Sequence, residues 1–188
     1  MKRELRDAAK SLLWEGGYAA MSPRRVLDAS GAGQGSLYHH YRGKRHLAED
    51  ALKEIEDEMT AIAHKTFDPT VPPLDRIRAY LLDDRDGRRG CRLGRLVSET
   101  EVIDEPSLRA PIARYFGTVR KLLIDALAEA EATGTLKPGY DTVSVADAIV
   151  ASIQGGFLLS RAEGDGNRVR SAGQGMVSML EALRIHPL

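Results

Sequence analysis

Apolar residues recur three or four positions apart along most of this chain, which is the spacing of one face of an α-helix. No segment of useful length alternates apolar and polar residues, the pattern typical of a half-buried strand. Glycines and prolines interrupt the helical pattern at intervals. The sequence therefore predicts an all-α fold of roughly nine helices. Their expected ranges are 2–15, 23–30, 34–41, 44–64, 73–84, 91–103, 106–132, 142–163 and 167–184.

The composition is that of a globular protein without disulfides or membrane spans. Of 188 residues, 43% are apolar and 29% are charged, which suffices to bury a core. No apolar run reaches the roughly 18 residues that a membrane span needs, and the charged N-terminus is unlike a signal peptide. A single cysteine, Cys91, excludes an internal disulfide and a cysteine-rich zinc site. We expect a cytoplasmic protein with no membrane partner and no cofactor.

Basic residues concentrate near the N-terminus although the net charge of the chain is zero. Residues 1–46 contain nine basic and four acidic residues, a formal charge of +5, and the remaining residues carry −5. This asymmetry favours a polyanionic partner for the N-terminal part alone. Charge also fluctuates along chains that have no such partner, so the asymmetry is weak evidence by itself.

Two short predicted helices joined by a glycine-bearing turn follow the first helix. Ser22 and Pro23 are typical of a helix start, because serine accepts hydrogen bonds from free amides and proline fits the first turn. Val26 and Leu37 supply inward apolar contacts on either side of a turn at Gly31. Helix, glycine turn and helix in this order predict a helix-turn-helix.

One stretch of sequence resembles the DNA-binding head of the TetR family of transcriptional repressors. The matching residues are Ala8, Gly17-Tyr18, Ser22, Gly31, the run Gly35-Ser36-Leu37-Tyr38-His39-His40-Tyr41, Lys44 and Leu47. The resemblance is dense up to residue 47 and is only architectural beyond it. It implies a helix-turn-helix DNA-binding domain at residues 1–47 and an effector-binding and dimerisation domain at residues 48–188.

The resemblance also assigns contacts with DNA to individual residues. The base-reading positions are Gln34, Gly35, Ser36 and His39. The phosphate contacts are assigned to Ser22, Tyr38, His40 and Lys44. Arg24 and Arg25 suit either role. The chemistry agrees, because glutamine pairs with adenine in the major groove, glycine permits close backbone approach, and a helix N-terminus attracts anions.

Some of these residues also have interpretations that involve no DNA. Tyr38 suits a half-buried core position as well as a phosphate contact, and Lys44 suits a solvated helix start. Adjacent histidines at 39 and 40 face different sides of a helix, and no nearby cysteine or carboxylate completes a metal site, so we expect no metal there.

Three positions depart from the family pattern. Gly33 stands where serine or threonine is common, so we expect the third helix to lack a side-chain N-cap. Gln34 replaces a frequent lysine, and Leu27 is larger than the usual small residue. These departures affect the operator sequence and leave the DNA-binding role intact.

The last two predicted helices combine small and apolar residues on one face. Glycine inside a helix costs about 1 kcal/mol relative to alanine, so Gly155, Gly156 and Gly173 need a packing reason. Close approach of helices across a twofold interface supplies one, and the core of a monomer supplies another. Because an operator with twofold symmetry is bound by a protein with the same symmetry, we expect a homodimer.

A small-molecule effector is expected to bind among the central helices. The candidate lining residues are Cys91, Leu96, Glu99, Tyr115, Phe116, Val119, Gln154, Phe157 and Arg161. Cys91 lies near a predicted helix start with arginines close in sequence, a setting that raises thiol reactivity, which gives the hypothesis of an oxidant or electrophile sensor. An inert buried thiol is the alternative.

These observations predict a homodimeric, ligand-responsive regulator that binds a palindromic operator as a repressor and is released by its effector. Effector binding is expected to move the helix at residues 44–64 and so change the separation of the two recognition helices. Two alternatives remain open at this point. One is a small helical enzyme that uses Cys91 or Glu99; the other is a DNA-binding protein with no effector.

Overall fold

The computed structural model describes residues 1–185, and over that range the predicted all-α architecture is confirmed. The α-helices are α1 (Lys2–Ala20), α2 (Pro23–Ser30), α3 (Gln34–His40), α4 (Lys44–Thr66), α5 (Pro73–Leu82), α6 (Thr100–Ile103), α7 (Pro106–Ala132), α8 (Thr142–Glu163) and α9 (Arg168–Ala182). A 3-10 helix, Gly94–Ser98, precedes α6.

The first helix breaks where its two glycines predict an end. Gly17 leaves the helical region with φ 80° and ψ −176°, a conformation that glycine adopts without a steric penalty. Helical geometry resumes at once for Tyr18–Ala20, so α1 continues past a kink. The predicted break at the glycines is correct, but the sequence did not predict the short helical turn Tyr18–Ala20 that follows it.

The helix predicted at 91–103 is wrong over its first half. Cys91 Sγ accepts a hydrogen bond from the Gly94 amide at 3.2 Å, which closes a turn before the 3-10 helix begins. Glu99 is then extended, with φ −94° and ψ 115°, and only the single turn of α6 is α-helical. The apolar spacing suits a longer helix, but the Cys91 turn and the extended Glu99 divide the segment.

The chain divides into two compact units. The first unit comprises residues 1–59 and 91–115, and the second comprises residues 60–90 with the residues from 116 onward. Apolar side chains that are fully buried form the core of the first unit, namely Leu5, Leu13, Met21, Val26, Leu37, Leu47, Leu52 and Ile55. Residues 91–115 pack with this N-terminal core, although they lie far from it in sequence.

Two helical glycines serve packing within the second unit rather than an interface between copies. A Cβ on Gly156 would lie 2.7 Å from the Val169 Cα, and one on Gly173 would lie 2.1 Å from the Leu81 carbonyl oxygen. These glycines therefore let α8 approach α9 and α9 approach α5 within one chain. For both, the interpretation as a close approach across the dimer is wrong; Gly155 faces open space.

Candidate DNA-binding surface

Local signals fix both ends of α2. The Ser22 hydroxyl accepts a hydrogen bond from the Arg25 amide at 3.2 Å, and Pro23 occupies the first turn. Gly31 ends the helix in the left-handed region, φ 67°, and its amide donates to the Leu27 carbonyl at 3.0 Å. The turn that leads into α3 is therefore tight and specified by sequence.

The third helix begins without a side-chain cap at Gly33, as the sequence predicts. Leu37 is 1% exposed and anchors the inner face of the helix. The helix ends at Tyr41, which is 2% exposed. The Tyr41 hydroxyl donates a hydrogen bond to Asp50 Oδ2 at 2.7 Å. Burial, with the Asp50 hydrogen bond, raises the pKa of Tyr41 above its ordinary value. These contacts fix the orientation of α3 against α4.

The outward face of α3 carries the residues that the sequence assigns to DNA. Gln34, Gly35, Tyr38 and His39 are exposed, and Ser36 and His40 are half-buried. Tyr38 is 55% exposed, so its ring lies at the surface and not in the core. A Cβ on Gly35 would meet no atom within 4 Å, so packing within the chain does not require this glycine. The face is open to a partner that comes close to the backbone.

The three cations assigned to DNA have different surroundings. Arg24 is exposed, and its side chain has no hydrogen-bond or ion-pair partner within residues 1–185. Arg25 Nη1 donates to the Ala20 carbonyl at 2.7 Å and so satisfies the end of α1. Lys44 Nζ lies 4.0 Å from the centroid of the Tyr18 ring. Arg24 is free to contact DNA, and the Arg25 guanidinium is used within the chain. The Lys44 side chain makes only the ring contact within residues 1–185, so its N–H donors remain available to a phosphate.

A basic depression at the start of α4 was not among the predicted sites. It has a volume of about 400 Å³ and is lined by Arg42, Gly43, Arg45, His46 and Glu49 at the start of α4. Arg45 Nη1 also pairs with Glu105 Oε2 at 2.9 Å. The run of basic residues was visible in the sequence as part of the N-terminal charge, but the depression that it lines is a feature of the fold.

The nine candidate effector residues are divided between the two units. Cys91, Leu96, Glu99 and Tyr115 belong to the first unit, and Phe116, Val119, Gln154, Phe157 and Arg161 belong to the second. Cys91 is 6% exposed and Leu96 is fully buried, whereas Arg161 is exposed. As a set they do not form one site within either unit, and their role in effector binding stays a prediction.

Glu99 has partners that the sequence did not indicate. Its Oε1 accepts from the Tyr18 amide at 2.9 Å and its Oε2 accepts from the Ala19 amide at 2.8 Å. The carboxylate thus lies against the kink of α1. Over residues 1–185, no group of three His, Cys, Asp or Glu side chains is arranged to hold a metal ion.

Two family models match the chain. The model of bacterial regulatory proteins of the tetR family matches residues 5–51, and the tetracyclin repressor-like C-terminal domain matches residues 73–176, more than half of the chain. The HTH-type transcriptional repressor DhaR of Mycobacterium sp. (strain GP1) is 24% identical over 87% of this chain and 83% of its own length.

Solved structures share the fold. The regulatory protein TetR from Rhodobacter sphaeroides has a TM-score of 0.82 at 23% identity, covering 94% of this chain and 96% of its own. The transcriptional regulator FadR from Bacillus subtilis, in complex with stearoyl-CoA, has a TM-score of 0.71 at 16% identity, covering 99% of this chain and 100% of its own. The fold of these regulators therefore extends over nearly the whole chain.

Proposed function

The chain belongs to the TetR family of transcriptional regulators and is not an enzyme, and from this membership we propose that it is a ligand-responsive repressor that binds a palindromic operator as a homodimer. The exposed polar face of α3 carries the proposal, because the inner face of the same helix is fully buried and holds it in a fixed orientation. In this role the chain acts in the cytoplasm.

In the proposed complex, α3 lies in the major groove. Gln34 pairs with adenine, and Ser36 and His39 contact neighbouring base edges. Gly35 allows the backbone to approach the bases, since nothing in the chain occupies the space around it.

Phosphate contacts hold the helix in register. They come from Ser22 at the N-terminus of α2, from the exposed Arg24, and from Tyr38, His40 and Lys44. The basic depression at the start of α4 adds Arg42, Arg45 and His46 to this set. These contacts supply affinity without sequence preference and weaken with salt.

We assign the dimer interface to α8 and α9. Leu158 is 69% exposed, Leu159 is 49% exposed and Met179 on α9 is 65% exposed. Of the helices within residues 1–185, α8 alone is long and apolar enough by composition to cross a membrane, and only 28% of its most apolar stretch is buried. For a DNA-binding regulator, a second copy of the chain is the partner that covers such a helix.

Effector binding lowers operator affinity in this proposal. FadR is a regulator of the same fold that holds a small molecule, stearoyl-CoA, and DhaR is named a repressor. An effector that binds one arrangement of α4 better than another shifts the population of the two arrangements. The two α3 helices then no longer match successive major grooves, which lie roughly 34 Å apart. The effector-binding role of the nine candidate residues belongs to this proposal.

Selection from a pool of random duplex DNA tests the proposal. The purified full-length chain is incubated with the pool across a series of salt concentrations, and the bound fraction is sequenced. The expected result is an enriched palindrome whose binding survives at moderate salt. Weak binding without sequence preference that disappears as salt rises would contradict it.

A further inference from the structure

The kink of α1 exposes amides that the helix itself does not satisfy. Gly17 departs from helical geometry, and Tyr18 and Ala19 are the first residues of the helical turn after it. The first amides of a helical segment have no carbonyl partner within that segment. The Glu99 carboxylate accepts from both, at 2.9 and 2.8 Å, so one side chain satisfies two backbone donors with charge-assisted hydrogen bonds.

The space around the kink is shaped to this carboxylate. A Cβ on Gly17 would lie 2.2 Å from Glu99 Oε1, so glycine serves both the positive φ of 80° and the approach of the side chain. Just beyond the kink, Arg25 satisfies the Ala20 carbonyl, and α2 begins after Ser22. The junction between α1 and α2 is therefore held at its amides by Glu99 and at its carbonyl end by Arg25.

Residues 91–107 also contact α4 and α1 at other points, and the Arg92 guanidinium lies 5.6 Å from the centroid of the Trp14 ring of α1. Arg92 Nη1 pairs with Glu58 at 2.8 Å, Glu105 pairs with Arg45 at 2.9 Å, and the Ser107 hydroxyl donates to Glu49 at 2.6 Å. Glu99 differs from these contacts because it binds backbone amides at the α1–α2 junction, not a side chain of α4 or of α1 before the kink. The α1–α2 junction leads through the short α2 and the tight Gly31 turn directly to α3.

From this geometry we infer that Glu99 is a positioning residue for operator reading, which couples the segment Cys91–Ile103 to the recognition helix through the α1–α2 junction. Displacement of that segment withdraws the carboxylate, frees the Tyr18 and Ala19 amides, and lowers affinity for the operator. This inference rests on the proposed function and adds to it a second connection to α3, separate from α4.

The test compares Glu99→Gln with the matched control Glu101→Gln in the full-length chain. Glutamine keeps the size of the side chain but replaces one of the two charged acceptor oxygens with an NH2 donor, so the pair of charge-assisted hydrogen bonds to the two amides is lost. Glu101 is exposed and lies on the same segment, its side chain makes no hydrogen bond within the described residues, and it acts on the Tyr18 hydroxyl through its charge alone, so its variant removes the same charge without the contact with the amides. Amide exchange at Tyr18 and Ala19 is measured by NMR on the free protein, and affinity is measured on the selected operator and on a scrambled duplex.

In E99Q, exchange at the two amides is expected to accelerate and operator affinity to fall about tenfold, which corresponds to about 1.4 kcal/mol. Affinity for the scrambled duplex stays at the wild-type value, and E101Q matches the wild type in every measurement. Wild-type exchange and operator affinity in E99Q would overturn the inference, and so would an equal loss in E101Q.

A second variant covers the case in which E99Q does not fold. Glu99→Asp keeps the charge but is shorter by one methylene, so it cannot reach both amides at these distances; it is expected to change the same measurements in the same direction. Wild-type behaviour of E99D would then overturn the inference. If the wild-type chain itself selects no operator, the proposed function falls together with this inference, whereas wild-type operator binding by E99Q removes this inference alone.

Discussion

Gln34 and Arg24 are both exposed on the helix-turn-helix, but their chemistry gives them different tasks on DNA. A glutamine that pairs with adenine reads sequence, whereas a guanidinium on a phosphate adds affinity for any sequence. Gln34→Ala is therefore expected to cost about 1–3 kcal/mol of operator affinity and to relax the preference at one base position. Arg24→Ala is expected to weaken binding to all sequences and to reduce the salt slope by about 1.

Competition titrations against single-base operator variants, repeated at several salt concentrations, distinguish these two outcomes. An unchanged base preference in Q34A would remove Gln34 from the reading residues. A salt slope in R24A equal to that of the wild type would remove Arg24 from the phosphate contacts.

Tyr41 gives the stability of the first unit a dependence on pH. Its folded-state pKa lies above the ordinary value of 10.0, because burial and the Asp50 hydrogen bond favour the neutral hydroxyl. Its contribution is therefore complete below pH 10 and declines as the pH rises above it, where the unfolded chain ionises first.

Tyr41→Phe removes the hydroxyl and leaves Asp50 without that donor. At neutral pH, Y41F is expected to lower the free energy of unfolding by about 1–3 kcal/mol, since Asp50 loses one charge-assisted hydrogen bond. Urea unfolding of both proteins at pH 9 and at pH 11 measures the effect, and the difference between them should shrink at the higher pH. A constant difference would contradict the role of this hydroxyl.

Within α3, Gly35 lowers the stability of the helix but leaves its backbone accessible to DNA. Gly35 is helical, and a Cβ there would meet no atom of the chain. Gly35→Ala is therefore expected to raise the free energy of unfolding by up to about 1 kcal/mol. It is also expected to lower operator affinity by about tenfold, because the methyl group lies between the backbone and the base edges.

Gly117→Ala is the matched control, since Gly117 is another helical glycine, on α7, with open space around it. It should show the gain in stability without any loss of binding. Thermal unfolding and operator titration of both variants provide the comparison. If G35A bound the operator as tightly as the wild type, close backbone approach at this residue would be excluded.

Helices and turns with local signals could be predicted from the sequence, and contacts distant in sequence could not. Ser22, Pro23 and Gly31 specify the ends of α2 through their own backbone chemistry. Glu99, in contrast, contacts amides 80 and 81 residues away, and backbone amides leave no side-chain signature in a sequence. The 91–103 segment was predicted as one helix because its apolar spacing suits a helix, whereas the Cys91 turn and the extended Glu99 interrupt it.

The different roles of the two glycines of α8 could likewise not be predicted from the sequence. Gly155 and Gly156 are adjacent and equivalent as sequence, yet Gly156 packs closely against Val169 while Gly155 faces open space. Only the packing of α8 against α9 distinguishes them. The recognition helix was easier to predict, because its outward residues form a local pattern with known chemistry.

For the whole molecule, assembly depends on the exposed apolar residues of α8. Leu158 is 69% exposed, so a charge there does not disturb the core of one chain. Leu158→Glu is expected to convert the dimer to a monomer, because it buries a carboxylate in an apolar interface. Sedimentation equilibrium measures the mass directly.

Ile62→Glu provides the control, since Ile62 is 59% exposed but lies on α4. It should sediment as the wild-type dimer does. A dimeric L158E at micromolar concentration would exclude Leu158 from the interface.

In the proposed complex, two copies of the chain bind the two half-sites of the operator as one unit. The most direct test inserts half a helical turn, about 5 base pairs, between the half-sites of the selected operator, which moves the second half-site to the opposite face of the duplex. We predict that wild-type affinity then falls to that of a single half-site. Unchanged affinity for the inserted operator, or a selected sequence without twofold symmetry, would exclude twofold binding by a dimer.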